Sequence, residues 1–143
     1  EAAEMTIVNR TIGYAGTLDL LVWLDLGHGR KLTVVDYKSS LTRPVDSVYP
    51  ENGMQVAALA HGETALMDDG TEVDMPGPIE QAVIVNLRTD DYAVMPMPVA
   101  GTLDDAYQAF VGALADATYL HSCYSAKPQP LNPPTKTRTR KAA

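Results

Sequence analysis

The sequence predicts an α+β (α/β) fold, a mixed central β-sheet flanked by helices. Three observations predict it. Several segments rich in β-formers alternate or run apolar over strand-like lengths. A Gly27-His28-Gly29-Arg30 tight-turn signature joins two of them. Two longer stretches repeat apolar residues at helical spacing. The order β-β-β-α-β-β-α suits a mixed sheet with helices packed against it.

Each element follows from its residues. Glu4 to Asn9 alternates polar and apolar and reads as a short strand. Gly13 marks a turn. Gly16 to Leu26 and Lys31 to Tyr37 read as strands of an antiparallel hairpin. Ser39 to Pro50 is a loop broken by Pro44 and Pro50. Glu51 to Met67 is expected as a helix, with Met54, Ala57, Ala58, Ala65 and Leu66 on its apolar stripe, although Gly53 and Gly62 oppose it. Asp68 to Pro78 is a polar connection, Gln81 to Leu87 a buried strand and Tyr92 to Val99 its partner. Leu103 to Tyr119 closes the domain as a helix, with Thr102 as N-cap and two acids in the first turn.

The 143 residues suffice for one domain, here residues 1–126, followed by a Pro-rich basic disordered tail, 127–143. The net charge of -7 is unevenly spread: the tail holds five positive charges and no negative one, leaving -12 on residues 1–126. An acidic body suits a protein that holds divalent metal, and a basic arm suits phosphates. A purely solubilising tail gives the same pattern. Phe and Trp occur once each, so the core must be aliphatic. A single cysteine, Cys123, excludes an internal disulfide, an iron–sulfur cluster and a Cys-rich zinc site. It points to a reducing, cytoplasmic setting and reads as a small apolar residue near a helix end. No stretch reaches the roughly 20 apolar residues that span a bilayer, and no phosphate loop or serine-nucleophile elbow occurs. The chain opens on Glu1 rather than Met and enters a strand at once, which raises the expectation of further sequence upstream.

Chemistry concentrates in three pieces: Gly16-Thr17-Leu18-Asp19, Val34-Val35-Asp36-Tyr37-Lys38-Ser39-Ser40, and Gln55 on the following helix. Asp19 lies eight residues before the turn and Asp36 six after it, so a bulge or longer loop would set them side by side. Paired strands are roughly 4.8 Å apart, close enough for two carboxylates to share one cation. Asp36 and Lys38, two apart on a strand, point to one face. Carboxylates are hard ligands suited to Mg²⁺ or Mn²⁺. Such a cation neutralises phosphate oxygens and acidifies the attacking water, while a neighbouring lysine stabilises developing negative charge.

The order G-T-L-D-L-L, L-T-V-V-D-Y-K-S-S, M-Q-V-A-A-L-A resembles the RecB-type exonuclease branch of the PD-(D/E)XK nucleases, over Glu4 to Gly62. That branch includes phage, recombination and CRISPR-adaptation nucleases. The resemblance implies a restriction-endonuclease-like core and a Mg²⁺- or Mn²⁺-dependent DNA exonuclease, acting on linear single- or double-stranded ends in phage DNA processing, recombination or repair. A recombinase or helicase is the partner it suggests. It implies that Asp19 and Asp36 ligate the metal, that Tyr37 adds its backbone carbonyl, that Lys38 is the catalytic lysine, and that Gln55 orients the site or contacts DNA. Two departures stand out. Leu59 replaces the tyrosine usual four residues after the glutamine, and the upstream helix with a Glu or His ligand has no counterpart, leaving Glu1 or Glu4 as substitutes. They motivate an alternative: a nuclease-fold domain that binds DNA or protein without cutting. An unrelated α+β interaction domain, in which Asp19 and Asp36 would not converge, is a third reading. His28 reads as a turn residue, His61 as facing away from Gln55, and His121 as a cation at the last helix's end. Tyr107, Tyr119 and Tyr124 could stack on bases, with helix packing as the competing account of the first two.

Overall fold

The computed structural model describes residues 2–67 and 69–126. The proposed tail, 127–143, lies outside them. The fold is α+β: a seven-stranded mixed sheet with two helices. In chain order the elements are β1 (Ala2–Asn9), β2 (Tyr14–Asp25), β3 (Arg30–Ser39), α1 (Pro50–Ala60), β4 (Thr64–Leu66), β5 (Glu72–Asp74), β6 (Gln81–Leu87), β7 (Tyr92–Met97) and α2 (Leu103–Ala126). The strands lie in the order β5-β4-β1-β2-β3-β6-β7. Every neighbouring pair is antiparallel except β3 and β6. A parallel pair needs a crossover, and the segment through α1 supplies it.

One face of the sheet carries the main core. Ile7, Leu18, Leu21, Leu32, Val34, Ala82 and Ile84 meet Val56 and Leu59 of α1 there. The helix turns Gly53, Val56 and Ala57 inward with Ala58 and Leu59; Ala57 and Ala58 belong to the stripe its sequence suggested, Met54 does not enter the buried set, and Ala65 and Leu66 lie on β4 beyond the helix. The second helix packs on α1 rather than beneath the sheet. Phe110 meets Tyr14 edge-on at 4.9 Å between ring centroids, and Tyr107 stacks on His61 at 4.0 Å. None of its residues is fully buried. Among the described residues, the helices therefore cover one face of the sheet, not both.

Three boundaries differ from the sequence expectation. The helix expected to reach Met67 ends at Ala60, and Thr64–Leu66 becomes β4 against β1. Gly62 explains the exit. A Cβ there would stand 3.1 Å from Ile7 Cβ, a tight contact that the missing side chain avoids as the chain passes close over β1. Gly62→Ala is expected to cost about 1–3 kcal/mol by overpacking against a rigid strand. Urea denaturation measures this, and an unchanged midpoint would contradict the close approach. The short β5 was hidden inside a polar connection, since all three of its residues are exposed. The last helix runs on to Ala126, seven residues beyond Tyr119, so His121 lies on it rather than after it, and Cys123 lies in its last turn, near the helix end as expected but exposed. Its start follows the expected cap: Thr102 Oγ1 accepts from the Asp105 N–H at 3.1 Å, and Asp105 Oδ2 accepts from the Thr102 N–H at 2.9 Å.

Candidate active site

The hairpin sets up the site without a bulge on its β3 arm. Its loop spans Leu26 to Gly29, and the register runs from Asp25 opposite Arg30 to Leu20 opposite Val35. Continued by one step, the register sets Asp19 opposite Asp36. The ladder stops short of that step. Leu18 and Leu21, three apart, are both buried, so β2 must change its inward-facing parity at Asp19–Leu20. This is where β2 and β3 part.

In the gap, Asp19 takes over the role of a paired strand. Its Oδ2 accepts the Tyr37 backbone N–H at 2.8 Å. The N–H and C=O of an extended residue face the same strand edge, so the Tyr37 carbonyl also turns toward β2, beyond the last paired residue. Lys38, one residue on, directs its carbonyl the other way, toward Arg88.

Asp36 is buried, with its side chain 4% exposed. Gln55 Nε2 donates to Asp36 Oδ1 at 2.9 Å, and Lys38 Nζ donates to Gln55 Oε1 at 3.1 Å. Lys38 Nζ also lies 2.7 Å from Asp36 Oδ2 as an ion pair, and that ammonium is the one partner of Oδ2 among the described residues. Burial raises the Asp36 pKa above its ordinary value; Lys38 opposes the rise and the Asp19 charge adds to it. A buried carboxylate oxygen with no hydrogen bond is costly unless something else meets it. The strands thus bring Asp19, Asp36, Tyr37 and Lys38 together, and α1 adds Gln55.

The donor set fits a hard divalent cation. Asp36 Oδ2 is met only by the Lys38 ammonium among the described residues, Asp19 is adjacent, and the strand geometry turns the Tyr37 carbonyl toward the same gap. A third acidic ligand is not in place: among the described residues no three His, Cys, Asp or Glu side chains converge. Glu4 comes nearest to that role. It lines a cleft of about 440 Å³ with Ala3, Asp19, Leu20 and Tyr37, and the β1–β2 register places it opposite Asp19. Its φ of 52° is left-handed, a strained state for a residue with a side chain.

No protein-family model matches this chain, and no curated protein matches it either.

Most of the remaining candidates take structural places. Leu59, where the resembling family has tyrosine, is 4% exposed and belongs to the core; its Cδ2 lies 3.2 Å from where a Cβ on Gly16 would be. His61 accompanies Tyr107 and Asp104 between the helices, and His28 lies in the hairpin turn. Tyr119 and Tyr124 are 69% and 83% exposed, so packing does not account for Tyr119 as it does for Tyr107.

Sequence reasoning passed over two residues, Asn86 and Arg88. Asn86 is 2% exposed within the apolar run of β6. Its Nδ2 donates to the carbonyls of Val45 and Ser47, each at 2.8 Å. Arg88 donates to the carbonyls of Arg43 and Pro44 at 2.7 Å. Together they pin the loop between β3 and α1. The readable signal was one amide interrupting a buried strand. Asn86→Ala should cost about 2 kcal/mol, since two hydrogen bonds are lost and two carbonyls are left to find water. Thermal or urea unfolding would show it, and a cost near zero would mean that the loop holds itself.

Proposed function

We propose that the chain is a Mg²⁺- or Mn²⁺-dependent DNA exonuclease domain with a restriction-endonuclease-like core of the RecB-type PD-(D/E)XK kind, serving phage DNA processing or recombination and repair. The observation that carries the reading is the linked Asp36–Lys38–Gln55 cluster facing Asp19 where two paired strands part. In this reading Asp19, Asp36 and the Tyr37 carbonyl hold the cation. When bound, it lowers the pKa of water and neutralises phosphate oxygens. Lys38 balances the buried Asp36 charge in the metal-free protein and offers its ammonium to the oxygen on which charge develops. Gln55 fixes both partners through its two ends. Water adds to phosphorus, the P–O ester bond breaks, and a phosphate monoester and a free hydroxyl result.

The test is digestion of a labelled linear DNA duplex, and of its single strand, with Mg²⁺, Mn²⁺ or EDTA. Loss of label with metal and none in EDTA supports the reading. No loss under any condition favours the second reading, a domain of this fold that binds DNA or a protein without cutting. One observation speaks for that alternative: among the described residues, no third acidic side chain joins Asp19 and Asp36 at the site.

A further inference from the structure

A second polar cavity adjoins the site on its Lys38 side. It measures about 210 Å³ and is lined by Lys38, Arg43, Arg88, Ser40, Asn52 and Asn86, with further serines and Tyr49 between them. Three basic residues line it and no carboxylate does; the Lys38 ammonium is shared with Asp36, while the two arginines have no acidic partner among the described residues. In a chain of net charge -7, such a concentration of positive charge is a local departure that calls for an anion.

The two arginines have different work. Arg88 spends its N–H groups inward, on four backbone carbonyls and the Ser47 hydroxyl. It has no hydrogen to offer a ligand, but its charge remains uncompensated: among the described residues no acid pairs with it. Arg43 is the reverse. Its guanidinium lies over the Tyr49 ring, 4.8 Å from the centroid, which fixes its direction. Among the described residues its side chain donates no hydrogen bond and meets no carboxylate, so its planar fork is open to a ligand. The first turn of α1 completes the wall. Asn52 Oδ1 accepts from the Tyr49 N–H at 3.0 Å, and the positive end of the helix faces the same side.

We propose that this pocket is a phosphate-binding subsite that takes a second phosphate group of the nucleic-acid strand, beside the one held at Asp36 and Lys38. The proposal rests on the nuclease reading for the strand's position, and on the pocket alone for the anion. Arg43 makes the direct contact, Arg88 supplies fixed charge from behind, and Lys38 is shared between the two places. The phosphate is an internal diester or a terminal monoester; the chemistry of recognition is the same.

The test is binding, not cleavage. Fluorescence anisotropy of a labelled oligonucleotide, with and without a terminal phosphate, is measured in EDTA over a range of NaCl for the wild type, Arg43→Ala and Arg43→Glu. Arg43 is exposed, so both variants should fold, which circular dichroism checks. Arg43→Glu is expected to weaken binding about 10-fold and Arg43→Ala less, with the salt slope falling by about one. A preference for the phosphorylated end that both variants erase assigns the terminal monoester, and equal binding of both ends assigns the diester. Unchanged affinity and slope in Arg43→Glu overturn the subsite, as does failure of the wild type to bind either oligonucleotide. Arg43-dependent binding by a protein that never cleaves leaves the subsite standing and removes the nuclease reading. Cleavage by a protein whose binding ignores Arg43 does the opposite.

Discussion

Lys38→Ala and Asp36→Ala are each expected to slow metal-dependent DNA hydrolysis by about 10³-fold, or about 4 kcal/mol of transition-state stabilisation. The two losses arise differently. Without Lys38, no ammonium meets the charge developing on phosphate, and Gln55 Oε1 loses its 3.1 Å donor. The Lys38 side chain is 36% exposed, so its removal leaves no buried void and the fold should persist. Without Asp36, the buried carboxylate proposed to hold the cation is gone and both Gln55 and Lys38 lose their anchor. Because the groups act as a unit, the double variant should be little worse than either single one. Single-turnover digestion of labelled DNA, with circular dichroism to verify folding, makes the comparison. Near-wild-type cleavage by either variant would defeat the mechanism.

Binding of the cation should also be visible without any substrate. A ligand at 100 times its Kd stabilises the folded state by about 2.7 kcal/mol, so Mg²⁺ or Mn²⁺ should raise the Tm by several degrees, and Asp36→Asn should abolish the rise. The metal-free Asn variant has its own expected behaviour. The Asp36 carboxyl is held above its ordinary 3.8 by burial. A raised acid adds stability that is full below 3.8 and is lost as pH rises through the folded-state value. At neutral pH the ionised Asp36 is therefore a burden that Asn lifts, and Asn can still accept from Gln55. The metal-free variant should be at least as stable as the wild type at pH 7. A fall in its Tm would mean that the Lys38 ion pair outweighs the burial cost. A wild-type Tm indifferent to both metals would remove the cation from the site and, with it, the hydrolytic reading.

The sequence by itself determined the five longer strands and the spacing of the polar residues they carry. The β-rich segments on either side of Gly27 to Arg30 pair as a hairpin, and the spacing of Asp36 and Lys38 fixes their common face. Both are local: turn residues and period-two alternation act over a few positions. The Thr102 cap was legible for the same reason. The meeting of Asp36 with Gln55, 19 residues later, was only suggested by the order of motifs. The end of α1 was not legible, because Gly62 is required by Ile7, which lies far back in the sequence on another strand. The strand β4 was absorbed into the expected helix and is decided by the open edge of β1, while β5, whose three exposed residues carry no apolar pattern, is decided by its pairing with β4. Tertiary structure alone decided the gap between β2 and β3. There Asp19 gives up an ordinary strand position to bind the Tyr37 N–H, and Asp36 is left with the Lys38 ammonium as the sole partner of one buried oxygen among the described residues. It also gathered Arg43, Asn52, Asn86 and Arg88, which share no motif, around one cavity. Burial and charge compensation depend on what the rest of the chain brings near, and no window of sequence contains that.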